Sequence, residues 1–113
     1  MTTLGKDVGR GDFELFRHGD NDIGVWWWEH DGAKYVLKDL TSWEAQLVLE
    51  SEFGEPLVTL PCTCSSDGLA MCTVPASVME SDDLADYTKG VWRITGTCGD
   101  KTEVIGTGYF EIT

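Results

Sequence analysis

The stretch Ile23-Gly24-Val25-Trp26-Trp27-Trp28-Glu29 joins three consecutive tryptophans to β-forming residues, and the turn signal Asp31-Gly32 follows it. The stretch is short and rich in β-branched and aromatic residues, which favours a strand over a helix. Successive side chains of a strand point to opposite faces of the sheet. One face is therefore predicted to carry Ile23, Val25 and Trp27, and the other Trp26, Trp28 and His30.

Both faces of this strand are apolar near its middle. In a two-layer sheet protein only one face of a strand belongs to the core. A loop of the same chain or another protein must then cover the second face. Because aromatic residues are enriched at protein interfaces, we interpret Trp26, Trp28 and His30 as a partner surface.

The composition is that of one soluble, folded domain. The chain has 113 residues, and its acidic residues (20) outnumber its basic ones (8), which gives a net charge of −12. That length suffices for one core but not for two. Binding to nucleic acid or to an anionic membrane is disfavoured, because phosphate contacts need lysine and arginine.

The first residues contain no apolar segment of the kind that signal peptides use. We therefore expect the chain to be made and kept in the cytoplasm, or to leave it by a route other than secretion. Cys62, Cys64, Cys72 and Cys98 are then expected to be thiols, because cytoplasmic cysteines are kept reduced.

Short alternating segments separated by turn residues continue along the chain. Trp43 to Glu50 alternates cleanly, with Trp43, Ala45, Leu47 and Leu49 on the predicted core face. Residues 75–84 are the one helix candidate. The pattern is typical of an antiparallel β-sandwich or barrel, and of these we predict an all-β, antiparallel, Ig-like β-sandwich of seven to eight short strands with one short helical connection.

Two details of strand pairing can be predicted from the same alternation. A hairpin around residues 65–68 is predicted to pair Cys62 with Ala70, Leu60 with Cys72, and Val58 with Val74. In the last strand, Val104, Gly106, Gly108, Phe110 and Ile112 are predicted on one face, with Ile105 and Tyr109 on the other.

Residues 1–12 contain three glycines and mixed charges, and they are interpreted as a flexible N-terminal arm before a β-sandwich domain at residues 13–113. An arm of this kind can order on a neighbouring subunit. Its candidate contact residues are Thr2, Thr3, Leu4 and Val8.

Metal binding and catalysis have little support in the sequence. The four cysteines form no Cys-x-x-Cys knuckle, so no metal or other cofactor is expected. His18 and His30 lie in or beside turns, and no nucleophile stands in a recognisable catalytic turn, so the chain is not expected to be an enzyme. A carbohydrate-binding module with Trp26 and Trp28 as its platform remains the alternative.

The order of the motifs resembles the small β-sandwich domains of tailed-phage tail tips and baseplates. These domains include the LtfC-like minor tail proteins and the N-terminal domain of phage baseplate upper proteins. The resemblance runs from about Phe13 to Thr113 and rests on the order of these motifs: Gly19-Asp20, Asp31-Gly32, Asp39-Leu40-Thr41, Glu44-Ala45-Gln46-Leu47, Val74-Pro75-Ala76-Ser77, Gly90-Val91-Trp92 and Gly108-Tyr109-Phe110.

The resemblance implies a structural protein of the virion tail, without catalysis, that works by protein–protein assembly. Its expected partners are other tail or baseplate proteins and symmetry copies of itself. Repetition of one subunit in a ring implies a heterologous contact. The three tryptophans in a row and the four cysteines depart from the pattern of these domains.

Overall fold

Alternating short strands form nearly all of the regular structure in the computed structural model, which describes residues 9–32 and 34–113. Two helices of four residues each, α1 (Ala76–Met79) and α2 (Asp82–Ala85), join the eighth strand to the ninth. The strands are β1 (Gly9–Arg10), β2 (Phe13–Leu15), β3 (Asn21–Trp26), β4 (Trp28–Asp31), β5 (Lys34–Leu37), β6 (Glu44–Glu50), β7 (Pro56–Cys64), β8 (Leu69–Val74), β9 (Lys89–Cys98) and β10 (Lys101–Ile112).

Most strands belong to one sheet with the order β1-β10-β9-β6-β7-β8-β3, and β2 also pairs with β10. The hairpin of β4 and β5 forms a separate two-stranded sheet. The predicted all-β class and the short helical connection are confirmed. The sheet is mixed rather than purely antiparallel, because β1 and β2 run parallel to β10, with Gly9 opposite Gly106 and Phe13 opposite Phe110.

The predicted core faces of the tryptophan stretch and of β6 are confirmed. Ile23, Val25 and Trp27 are buried, and so are the four predicted residues at 43, 45, 47 and 49. The largest fully buried side chains are those of Trp27, Trp92 and Phe110. The tryptophan stretch is divided into β3 and β4 at Trp27, which differs from the single strand that its composition predicts.

The strand β7 belongs to two ladders. Residues 56–62 pair with β6, and only Thr63 and Cys64 pair with β8. The predicted hairpin register is wrong by two residues, since Ala70 lies opposite Cys64 and not opposite Cys62. Gly68 lies inside the loop with a φ of 88°, and the amide of Ser65 donates to the carbonyl of Leu69 at 3.0 Å. A shift of two keeps every side chain on its predicted face.

The predicted faces of β10 are wrong at its centre, where the strand contains a β-bulge. Val104 pairs with Thr95 and Gly106 with Ile94, so Ile105 is the extra residue. Ile105 is fully buried and Val104 is 36% exposed. The absence of a side chain at Gly96 leaves the space that the end of the Ile105 side chain fills.

Arg17 connects the start of the chain to the two short helices. Its guanidinium donates hydrogen bonds to the carbonyl oxygens of Leu84 at 3.0 Å, Tyr87 at 2.7 Å and Met79 at 3.5 Å. These carbonyls lie at or just beyond helix ends, where the helix itself supplies no donor. Among the described residues, no helix has the length and apolar character needed to cross a membrane.

The parallel segment at the start of the described chain lies very close to β10. The indole Nε1 of Trp92 donates a hydrogen bond of 2.8 Å to the carbonyl oxygen of Gly11, and the Phe13 ring packs edge-on against the same indole at 5.1 Å. A Cβ atom at Gly108 would overlap that carbonyl group of Gly11. The glycine at position 108 is therefore required for this approach.

Replacing Gly108 with alanine should displace residues 9–12 and break the hydrogen bond between Trp92 and Gly11. We expect a loss of about 2 kcal/mol in the free energy of unfolding, measured by urea denaturation. Gly19→Ala is the matched control, because no atom lies within 4 Å of the position that a Cβ would take there. It should change stability by less than about 0.5 kcal/mol. Equal stability of the two variants would contradict the close packing at Gly108.

Candidate partner-binding site

An exposed aromatic face stands at one end of β3 and on the hairpin that follows. It consists of Trp26, Trp28 and Tyr35, whose side chains are 47%, 43% and 44% exposed. Trp27, between the two exposed tryptophans, is only 1% exposed. The predicted separation of the three tryptophans into one inner and two outer side chains is confirmed.

Trp27 lies between β3 and β4 and is buried, whereas its neighbours Trp26 and Trp28 are both exposed. The amide of Trp27 donates to the carbonyl oxygen of Gly68 at 2.8 Å, and its carbonyl accepts from the amide of Lys38 at 2.9 Å. Both neighbours of Trp27 therefore point away from the core.

The hairpin of β4 and β5 adds Tyr35 to this surface. Trp28 lies opposite Leu37, and His30 lies opposite Tyr35. Residues directly opposite each other in an antiparallel pair share a face, and so do positions two apart in one strand, such as 28 and 30. Tyr35 therefore lies on the same face of the hairpin as Trp28. His30 lies in β4 and not in a turn, and its side chain lies outside the described part of the structure.

The aromatic face rests on a second layer of aromatic packing. The rings of Trp27 and Trp43 pack edge-to-face, with 4.8 Å between their centroids. The ammonium of Lys38 lies 5.2 Å and 5.6 Å from these two rings, and it forms a 3.0 Å ion pair with Glu29. Lys38 thereby links Glu29 of the hairpin to the two buried tryptophan rings.

A short turn follows the hairpin, and hydrogen bonds from Thr41 hold the carboxylate of Asp39 in place there. Asp39 accepts hydrogen bonds from the amide of Thr41 at 2.9 Å and from its hydroxyl at 2.7 Å, and these bonds lower the pKa of the Asp39 carboxyl group. Leu40, between them, is fully buried. The turn directs the chain from the hairpin to Trp43 beneath the aromatic face.

Two further apolar side chains extend the surface along β8. Leu69 lies opposite Trp26, and Met71 lies opposite Gly24. The Met71 side chain occupies the space beside Gly24, with its Cγ 3.2 Å from the position a Cβ would take there. Tyr35, Leu69 and Met71 are site residues that the sequence pattern does not indicate, because their placement depends on the pairing of strands.

Within the described part of the chain, the Tyr35 segment does not cover the two outer tryptophans. Tyr35 lies beside Trp28 on the same face, and both exposed tryptophans keep more than two fifths of their surface open. The other predicted contact residues, Thr2, Thr3, Leu4 and Val8, lie outside the described residues.

Asp20 and Asp22, at the start of β3, both accept hydrogen bonds from other parts of the fold. Asp20 accepts a hydrogen bond of 2.7 Å from the amide of Ala76, and Asp22 accepts one of 2.6 Å from the hydroxyl of Thr73. His18 lies 3.8 Å from a carboxylate oxygen of Glu80, at an exposed position. Within residues 9–32 and 34–113, no three histidine, cysteine or acidic side chains are grouped so that they could hold a metal ion.

A separate cleft of about 520 Å³ lies beside β2 and β10. Phe13, Tyr109 and Lys89 line it together with the acidic residues Asp12, Glu14, Glu52 and Glu111. None of the three residues of the aromatic face lines this cleft. The two surfaces are therefore distinct.

Comparison with known proteins bears on the fold alone. No protein-family model and no curated protein matches the chain. Among solved structures, the chain is similar to the catalytic module of the multi-modular glycogen-degrading pneumococcal virulence factor SpuA. The match is 12% identical, has a TM-score of 0.50, and covers 92% of this chain. This chain spans only 12% of the length of that protein, and at this level of identity the likeness is one of fold alone.

The aromatic face should be dispensable for folding, whereas the tryptophan between its members should not. Trp27→Ala is expected to lower the free energy of unfolding by about 3–5 kcal/mol, because it empties a large buried volume. The double variant Trp26→Ala/Trp28→Ala should lose less than about 1 kcal/mol. Chemical denaturation of the three proteins tests this difference. If the double variant were as unstable as Trp27→Ala, the two outer tryptophans would belong to the core.

Proposed function

We propose that this domain is a structural, non-enzymatic component of a phage virion, in which the aromatic face docks onto another protein subunit of the tail tip or baseplate. The observation that carries the proposal is the exposure of Trp26, Trp28 and Tyr35 on a fold whose core is complete without them. Large aromatic side chains exposed together on neighbouring strands are typical anchors of protein interfaces.

The surroundings of the aromatic face favour a protein partner. Leu69 and Met71 extend the apolar area along β8, and methionine and aromatic residues are enriched at protein interfaces. The Lys38–Glu29 ion pair lies at the base of the same hairpin. A hydrophobic centre beside polar groups is the usual anatomy of such an interface.

The strand order supports the finer assignment of an Ig-like sandwich. The order β10-β9-β6-β7 corresponds to strands G-F-C-C′ of such a domain, and β7-β8-β3 corresponds to D-E-B. In this interpretation the two parts of β7 belong to opposite layers. β1 and β2 together correspond to the first strand of an Ig-like domain, which runs beside the last strand, β10. Such domains are frequent carriers of binding surfaces.

The order of sequence motifs supports the assignment to a tail. Its proposed partners are other tail or baseplate proteins and further copies of this chain, and its proposed location is the virion after assembly in the host cytoplasm. A ring of copies would use a heterologous contact in which the aromatic face of one copy meets a different surface of the next.

A carbohydrate-binding module is the second candidate. It is favoured by two indole side chains that stand on the same side of one extended segment, which is a common arrangement for stacking on sugar rings. The similar solved structure comes from a glycogen-degrading protein, although that likeness concerns the fold. Under this proposal glycogen or a related glucan would quench the fluorescence of Trp26 and Trp28.

The size of the purified chain in solution tests the self-assembly proposal. We expect the wild-type chain to associate in light-scattering experiments as its concentration rises. Acrylamide should quench tryptophan fluorescence less in the associated state than in dilute solution. Trp26→Ala/Trp28→Ala should weaken association at least about tenfold, the equivalent of about 1.4 kcal/mol.

Phe53→Ala is the matched control, because Phe53 is an aromatic residue that is 96% exposed in a loop outside the aromatic face. It should associate like the wild-type chain. Equal association of the wild-type chain and the tryptophan double variant would contradict a self-contact through the aromatic face. Quenching by glucan in a chain that stays monomeric would favour the second candidate.

A further inference from the structure

Two cysteines lie next to the last paired residues of β7 and β8, at the point where β7 passes from the β8 ladder to the β6 ladder. Thr63 lies opposite Met71 and Cys64 lies opposite Ala70, so the same register continued by one residue places Cys62 opposite Cys72. Cα atoms of directly opposed residues in antiparallel strands are about 4.5–5.5 Å apart. This separation lies within the range that a disulfide spans.

The thiols are in contact and differ in access to solvent. The Cys62 thiol donates a hydrogen bond to the Cys72 sulfur, and this bond together with partial burial raises the pKa of Cys62. The same bond lowers the pKa of Cys72. Cys72 is only 3% exposed, whereas Cys62 is half-buried and lines a cleft of about 400 Å³ with Trp43 and Pro61.

We propose that Cys62 and Cys72 are a redox-active pair that forms an intramolecular disulfide with a low-molecular-weight disulfide as oxidant. Access decides which thiol reacts first, because Cys72 is buried while Cys62 lines the cleft, and the raised pKa of Cys62 makes its attack slow. The Cys62 thiol loses its proton to solvent, and its sulfur attacks the small disulfide from the cleft. This step forms a mixed disulfide and releases one small thiol. The Cys72 thiol then loses its proton to solvent, and its sulfur attacks the Cys62 sulfur and displaces the second small thiolate. Each displaced thiolate takes up one proton, so two protein thiols are oxidised and one small disulfide is reduced to two thiols.

The other two cysteines are poorly placed for this reaction. Cys64 precedes the loop and lies opposite Ala70. Its separation from Cys62, two residues along one strand, is about 6.6 Å between Cα atoms, which is near the limit for a bridge. Cys98 is at the end of β9, where its sulfur lies 3.8 Å from the hydroxyl of Ser42. These two cysteines therefore serve as internal controls.

The pair does not depend on the proposed docking surface. Cys72 is opposite the buried Ile23, and its side chain points into the core, on the other face of the sheet from Trp26. The bridge would fasten β7 to β8 where only two residue pairs join them. It should therefore stabilise the domain whether or not the aromatic face has a partner.

The experiment incubates the native full-length chain with oxidised glutathione, blocks the remaining thiols, and maps the peptides by mass spectrometry. We expect two thiols to be lost without bound glutathione, and the peptides of Cys62 and Cys72 to be joined. The midpoint of thermal unfolding should rise by about 10 °C, and dithiothreitol should reverse the rise. Cys64→Ser/Cys98→Ser should behave like the wild-type chain.

Single variants separate the two steps of the reaction. Cys72→Ser should keep glutathione on Cys62, because the second attacking sulfur is missing. Cys62→Ser should leave Cys72 unmodified in the folded chain, because Cys72 is buried. A stable glutathione adduct on wild-type Cys62, a bridge that includes Cys64 or Cys98, or full retention of thiols under conditions that oxidise the urea-unfolded chain would each overturn the proposal.

Discussion

Burial of the Trp27 indole is the constraint on which the outer surface of the domain depends. Its edge-to-face packing on Trp43, with the Lys38 ammonium near both rings, fixes the direction of one side chain in an extended segment. The pleat then directs its two neighbours outward. The aromatic face is thus held in place by the core, and its exposure follows from the backbone and not from a loose loop. A surface of this kind needs little reorganisation when a partner binds.

Alternation of side chains is sufficient to predict the all-β class, the inner face of the tryptophan stretch and the core face of β6, because each depends only on neighbours in the chain. Features that depend on distant residues cannot be predicted in this way. The parallel path of β2 along β10 requires the glycine at position 108. The burial of Ile105 requires Gly96 on the adjacent strand. The hairpin register depends on whether Gly68 lies inside the loop or after it. Local pattern predicts Trp26 and Trp28 on the exposed face, whereas Leu69 and Met71 join it through strand pairing.

The net charge of −12 limits how copies of this chain can meet. Two strongly acidic surfaces repel each other, so a contact between copies must gain enough from apolar burial to offset that repulsion. Raising the ionic strength screens the repulsion and leaves the hydrophobic contribution intact. A self-contact through the aromatic face is therefore favoured by salt, unlike the binding of this acidic chain to a basic partner.

The division of β7 between two ladders also determines how the domain comes apart. The segment 56–62 is hydrogen-bonded to β6, while Thr63 and Cys64 hold β8, and β8 in turn holds β3. This one strand therefore joins the β6 ladder to the β8 ladder. Opening of β7 removes backbone hydrogen bonds from both ladders at once, while β6 stays paired with β9 and β3 with β8. The backbone pairing of the two ladders is thus coupled through one strand.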